Sequence, residues 1–182
     1  EEFAEDQRRI STRIPKVQAT LEAFRQRVVA QRASQFERLI LESFRQLLRK
    51  TRLVEGIHID PKSYQIGLTG GDGKPLAFTR LSAGERQLLA TAILWGISKA
   101  SGRPVPLVID TPLGRLDSTH RGHLVDRYFP AASHQVILLS TDKEIIDEEL
   151  DVLRPYIGRE YCLVHEEKHN STTVKQGYFE QP

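Results

Sequence analysis

One stretch limits what this chain can become more than any other: Leu81-Ser82-Ala83-Gly84-Glu85-Arg86-Gln87, then the apolar run Leu88 to Ile97, then Val105-Pro106-Leu107-Val108-Ile109-Asp110. It predicts a helix with its own start signal, followed by a strand that ends in a carboxylate. Ser82 with Glu85 three residues on is a capping box, in which each side chain bonds the other residue's backbone N–H. Such a cap contributes about 1 kcal/mol and accounts for both residues structurally. Gly84 adds something a cap does not need. Without a Cβ it lets an oxyanion approach the first turn, where unpaired N–H groups and the positive end of the helix dipole favour negative charge.

Val105, Leu107, Val108 and Ile109 form the kind of apolar run found in a parallel strand covered on both faces, and such strands present ligand groups at their carboxyl ends. Asp110 stands at that end. Pro112, Gly114, Leu116 and Asp117 follow, and then a helix whose expected cap is Ser118.

A capped helix, an apolar strand with a terminal Asp and a Leu-Asp just beyond it is the order of motifs in ABC-type ATPases. Leu81 to Gln87 resembles the ABC signature loop, Val105 to Asp110 the Walker B strand and Gly114 to Asp117 the D-loop. The chain as a whole resembles the C-terminal half of an SMC-like ATPase head. Val-Ile-Asp-Thr-Pro-Leu-Gly-Arg-Leu-Asp-Ser (Val108 to Ser118) and Leu-Leu-Ser-Thr-Asp-Lys-Glu-Ile (Leu138 to Ile145) are most similar to the DndD family, the ATPases of DNA phosphorothioation. The expected fold is therefore α/β, the C-terminal half of an ABC/SMC-like P-loop ATPase head with an N-terminal coiled-coil helix. Residues 1–50 would be the coiled-coil stub and the helix entering the head, and residues 51–182 the half-head itself.

Bulk properties agree with this. A length of 182 residues, 39% hydrophobic and 27% charged, suits one globular domain plus an appendage. No apolar stretch approaches the length of a spanning helix, and the first residues are acidic, unlike a secretory leader. A single cysteine, Cys162, excludes an internal disulfide and is expected to be a buried structural thiol. These features point to a cytoplasmic protein with no membrane partner. The absence of methionine, even at position 1, predicts a piece of a longer protein.

Net charge is only +2, yet between Arg8 and Arg52 twelve basic residues face Glu22, Glu37 and Glu42. A phosphate track along DNA and a solvated helical face both explain that distribution. Ile10, Ile14, Val17, Leu21, Phe24 and Val28 alternate by four and three, a heptad seam with Phe3 one heptad earlier. Apolar residues resume out of register at Phe36, Leu39, Ile40, Phe44 and Leu47, as expected where a coil gives way to domain packing. Pro15 predicts a kink or a fresh start. The family resemblance implies the returning strand of a long antiparallel coiled coil.

From Leu53 to Thr79 the period becomes two, with Tyr64, Ile66 and Leu68 on one face, and Gly70-Gly71-Asp72-Gly73 reads as a turn. It is no phosphate loop: Gly-x-x-x-x-Gly-Lys-Ser/Thr occurs nowhere in the sequence. The resemblance implies that Walker A lies in an N-terminal half, so that this chain alone is inactive as an ATPase. It also implies ATP and Mg²⁺ as cofactors and a homodimer closed around sandwiched ATP. Ser82, Ala83, Gly84, Glu85 and Gln87 would contact the nucleotide of the other head, and Asp110 would act on Mg²⁺ through water.

Two positions depart from the general ABC pattern. Thr111 follows Asp110 where many ABC ATPases carry a catalytic glutamate, and Thr141 stands after the strand Gln135 to Ser140 where related heads carry a switch histidine. Threonine orients water but takes no proton near neutral pH, so hydrolysis is expected to be slow or to be assisted by another carboxylate such as Asp117 or Asp142. His134 lies at the wrong end of its strand to substitute. His120 and His123, on the predicted helix Ser118 to Tyr128, read as surface residues, as do His165 and His169. Leu88, Leu89, Ala92, Ile93, Trp95 and Ile97 are expected in the core, Ile145 to Leu153 as a helix, and Glu160 to Val164 and Thr172 to Phe179 as closing strands.

The function this implies is coupling of ATP-driven head closure to DNA processing, with sulfur-transfer proteins as partners. An SbcC-type ATPase of a DNA-repair nuclease is the alternative pathway, and a nucleotide-gated scaffold with little turnover the alternative class.

Overall fold

The computed structural model describes residues 2–50 and 52–179, and among them the side chains of 13–50, 52–146 and 148–179. Helix α1 (Glu2–Leu47) runs 46 residues, through Pro15 and without the fresh start expected there. One proline deletes one ladder bond, and the turns on either side hold the helix. The seam residues Phe3 and Ile10 lie outside the described side chains. Ile14, Val17, Leu21, Phe24 and Val28 are all exposed, Phe24 to 66%. Beyond them Ala33, Ile40 and Phe44 are buried, so the register shift read from sequence marks where the helix joins a core.

The chain divides into two compact units, Glu1–Arg45 with Lys50–Gly102, and Gln46–Arg49 with Arg103–Pro182. In the first, β1 (Val54–Ile59), β2 (Ile66–Gly70) and β3 (Pro75–Leu76) form an antiparallel meander in the order β1-β2-β3. Ile57 pairs with Leu68 and Ile59 with Ile66, which sets the apolar residues on one face. Tyr64 is not among them: it has φ +57 in the turn before β2 and is exposed. The turn at Asp60 needs that conformation, because Asp60 Oδ1 accepts the N–H groups of Lys62 and Ser63 and folds the chain back. The glycine cluster is a hairpin turn as read: Gly73 N–H bonds Gly70 O at 2.9 Å, with Gly73 at φ +73.

Helix α2 (Ala83–Ser101) buries Leu88, Leu89, Ala92, Trp95 and Gly96 and stops at Gly102 in the left-handed conformation. Ile97 is exposed, contrary to expectation, and so is Leu94. The helix turns its core stripe through Leu88, Ala92 and Trp95, and Ile97 falls outside that stripe. Lys99 lies over the Trp95 ring, 3.6 Å from its centroid, and donates to Ser43 Oγ at 3.3 Å. Burial lowers its pKa, with Glu42 opposing.

In the second unit β4 (Leu107–Asp110) and β5 (Val136–Leu139) pair in parallel through a crossover formed by α3 (Ser118–His123) and a π-helical continuation, Leu124–Tyr128. Leu113, Leu124, Val125, Tyr128, Phe129, Ile145, Leu150 and Leu153 make its core. The β4–β5 pair is not covered on both faces as the apolar runs suggested. Val108, Ile137 and Leu139 are exposed, at 57%, 40% and 47%, because alternate residues point to the face on which the described residues lay nothing.

Helix α4 (Asp147–Leu153) and the hairpin β6 (Tyr161–Glu166) to β7 (Ser171–Gln176) complete the unit. Cys162 is half-buried and not fully enclosed, since the hairpin leaves Tyr161, Leu163 and Val174 exposed.

Candidate nucleotide site

The signature segment is built from the helix start outward. Glu85 N–H donates to Ser82 Oγ at 3.2 Å and Ser82 N–H to Glu85 Oε2 at 2.7 Å, the reciprocal box read from the sequence. Leu81, 2% exposed, anchors the entry, and Arg86 Nη1 donates back to Leu81 O at 2.6 Å. Ser82 and Ala83 are exposed, whereas Gly84, Glu85 and Gln87 are half-buried. Ser82 Oγ uses a lone pair on Glu85 N–H, so its O–H stays available as a donor. The N–H groups of Ala83 and Gly84 precede the helix ladder. One hydroxyl and two amides at a positive helix end can bind an anion.

Asp110, Thr111, Asp117 and Thr141 all lie in the second unit. Asp110 ends β4 opposite Leu139 of β5, so it and Thr141 share the carboxyl edge of the strand pair. Thr111 N–H extends the pairing to Leu139 O at 3.0 Å, and Thr111 Oγ1 donates to Asp110 Oδ1 at 3.3 Å. Thr111 has φ +50, a left-handed conformation that costs a β-branched residue strain. The turn closes with Gly114 N–H on Thr111 O at 3.4 Å. A Cβ at Gly114 would stand 2.9 Å from Thr111 Cγ2.

Asp117, not Ser118, caps α3: its Oδ1 accepts His120 N–H at 3.0 Å and its Oδ2 meets His120 Nδ1 at 2.9 Å. Both residues are good caps, and the helix begins at Ser118, one residue earlier than a Ser118 cap requires. The backbone hydrogen bond from His120 holds the Asp117 carboxyl below its ordinary range. His120 is buried and His123 half-buried, so neither is the surface residue expected. His123 Nδ1 lies 2.9 Å from Leu47 O and Arg127 Nη1 donates to Gln46 O at 2.9 Å, which caps the end of α1.

The segment after β5 folds onto the Asp110 turn. Thr141 and Asp142 are exposed there, Thr141 O accepts Glu144 N–H at 3.3 Å, and Tyr178 reaches Ser140 Oγ at 2.8 Å. Burial raises the Tyr178 pKa, Ser140 lowers it, and the carboxylates of Glu144, Asp142 and Glu160 raise it further. Two residues here were not singled out in the sequence, Tyr178 and Glu144. The latter is buried and accepts Leu113 N–H at 2.7 Å.

Among the described residues no group of three or more His, Cys, Asp or Glu side chains could hold a metal ion. An exposed Asp110 at a strand end instead fits Mg²⁺, which takes one or two carboxylates and completes its shell with phosphate and water. No described helix is long and apolar enough to cross a membrane.

The architecture is that of SMC head domains. An SMC ATPase from a study of ATP-driven dimerisation and DNA-stimulated activation superposes with TM-score 0.60 over 83% of this chain and 88% of that one, at 15% identity. The Smc head with an extended coiled coil from Pyrococcus furiosus, bound to the C-terminal domain of ScpA, gives 0.54 over 80% and 35%, also at 15% identity. The head with coiled coil and joint from Pyrococcus yayanosii gives 0.55 over 79% and 26%, again at 15% identity.

In sequence, the chain is similar to the DNA double-strand break repair Rad50 ATPase of Halobacterium salinarum, 32% identical over 135 residues. That match covers 68% of this chain and 15% of the relative's length. No protein-family profile matches the chain.

Proposed function

We propose that the chain is the C-terminal half of an SMC/Rad50-like ATPase head that couples ATP binding, head dimerisation and hydrolysis to DNA processing. The observation that carries this reading is the pairing of an SMC-head fold with Asp110 at the carboxyl end of a parallel strand and a Ser82–Gly84 anion cradle on a capped helix start. Residues 1–50 serve as coiled-coil stub and entry helix, and residues 51–182 as the half-head. The N-terminal half of the same ATPase supplies Walker A and covers the open β4–β5 face, since parallel sheets are stable with both faces covered. Alone, this chain does not hydrolyse ATP.

Closing two heads places Ser82 O–H and the Ala83 and Gly84 amides against the γ-phosphate held by the partner head, with Glu85 fixing the cradle and Gln87 at its rim. Asp110 holds Mg²⁺ through water, and that ion neutralises charge on the phosphates when bound. Thr111 and Thr141 orient water, and Asp117 shapes the D-loop. The exposed apolar stripe of α1 packs on the outgoing strand of an antiparallel coiled coil, and its exposed arginines supply a phosphate track for DNA. The protein acts in the cytoplasm.

The pathway we infer is DNA phosphorothioation with sulfur-transfer partners, on the wording of Val108 to Ser118 and Leu138 to Ile145. The likeness to a double-strand break repair ATPase favours a second reading, an SbcC-type subunit of a repair nuclease. Co-purification decides between them, with sulfur-transfer proteins expected and a nuclease as the contrary result. The ATPase itself is tested in the full-length protein: Asp110→Asn should abolish turnover, and hydrolysis undiminished in that variant removes the Walker B assignment. A wild-type protein that binds ATP, dimerises and turns over negligibly would instead be a nucleotide-gated scaffold.

A further inference from the structure

Glu144 is 5% exposed, and its two carboxylate oxygens have different fates. Oε1 accepts Leu113 N–H at 2.7 Å, across 31 residues of sequence, and so clamps the segment after β5 onto the turn that follows Asp110. Oε2 is buried with no hydrogen-bond partner. A buried carboxylate oxygen left without a donor is costly, and native proteins keep such groups where a water, an ion or a reaction uses them. The surroundings are those of the candidate site. The point where a Cβ on Gly114 would stand is 2.9 Å from Thr111 Cγ2 and 3.9 Å from Glu144 Oε1, so Glu144 and Thr111, the residue at the usual position of the catalytic glutamate, both border Gly114 in the turn after Asp110. The other carboxylates nearby are committed or unsuited. Asp110 is the metal residue, both oxygens of Asp117 bond His120, and Asp142 is exposed to solvent.

We propose that Glu144 is the proton acceptor for the hydrolytic water, reaching the site from the segment after β5 in place of a glutamate after Asp110; this rests on the ATPase reading above. In the step, one O–H bond of the water breaks and its proton passes to Glu144 Oε2. The water oxygen forms the bond to the γ-phosphorus, and the bond from that phosphorus to its bridging oxygen breaks, its electron pair leaving on ADP.

The test uses the full-length protein with ATP and Mg²⁺, comparing Glu144→Gln with Asp110→Asn and Asp142→Asn, and following turnover and ATP-driven dimerisation by sedimentation. Gln keeps a carbonyl for Leu113 N–H but takes no proton. Glu144→Gln should lower kcat by about 100-fold or more, the ordinary contribution of general-base catalysis. It should still dimerise with ATP, the dimer holding unhydrolysed nucleotide. Turnover within twofold of wild type in Glu144→Gln, together with its loss in Asp110→Asn or Asp142→Asn, overturns the proposal alone. A wild-type protein that neither binds nor hydrolyses ATP overturns the ATPase reading and the proposal together. Should Glu144→Gln fail to fold, Glu144→Asp serves, because it withdraws the carboxylate by one methylene yet remains a base. It should slow turnover with dimerisation intact, and unchanged kcat overturns the proposal.

Discussion

Gly96 of α2 lies directly against Ile40 of α1: a Cβ at Gly96 would stand 2.6 Å from Ile40 Cγ1, 2.9 Å from Ile40 N and 3.0 Å from Ile40 Cα. The side-chain atom could swing aside, but the two backbone atoms cannot. The helices meet at a position that only glycine satisfies, which explains a glycine inside an otherwise strong helix former.

Two terms of opposite sign meet in Gly96→Ala. Alanine gains about 1 kcal/mol in helix propensity, whereas forcing a methyl into packed backbone costs about 1–3 kcal/mol. With the contact on backbone, the second term wins. Urea unfolding should show a net loss of up to about 2 kcal/mol, and a variant more stable than wild type would mean that the helices are not in this contact.

Thr111 holds φ +50 beside Asp110. Releasing such a conformation is worth about 1–3 kcal/mol, against about 0.5–1 kcal/mol of backbone entropy for a new glycine. Thr111→Gly should therefore raise stability by about 1 kcal/mol while impairing turnover, because the hydroxyl that bonds Asp110 is gone. Thermal unfolding checks the first half and ATP hydrolysis by the full-length protein the second. A destabilised variant would show that the strained turn is not present.

Asp117 offers a pH signature. Its folded-state pKa lies below the ordinary value of an aspartate, principally through His120 N–H, so its stabilisation is present above the unfolded value and is lost as pH falls through the folded one. Asp117→Ala should cost about 1 kcal/mol as a lost cap, kept modest because the side chain is 53% exposed. The gap between wild type and variant should be flat above about pH 5 and close below about pH 4, as followed by urea midpoints across pH. A gap that widens in acid would refute the cap.

What the sequence revealed was local. The Ser82–Glu85 box, the Gly70–Gly73 turn and the β6–β7 hairpin each depend on residues a few positions apart, and short-range spacing reports them. The parallel strands were legible as apolar runs, but an apolar run does not say which face is covered, so Val108, Ile137 and Leu139 turned out exposed. Asp117 and Ser118 are equally good caps as letters, and only the backbone at Asp117 chooses between them. Glu144 was invisible for a different reason: its partner is the amide of Leu113, and no periodicity carries a bond across 31 residues. His120 and His123 looked like surface residues because nothing local announced the Asp117 cap or the carbonyl at Leu47 that engage them.

The proposed closure of two heads, with Ser82 to Gln87 of one against the ATP held by the other, is open to sedimentation of the full-length protein with and without ATP and Mg²⁺, beside Ser82→Arg. Ser82 is exposed at a helix start, so the arginine leaves the fold intact while filling the cradle. ATP should double the mass of the wild-type protein and leave the variant monomeric. Equal ATP-driven doubling in Ser82→Arg, or no response to nucleotide in the wild type, would contradict it.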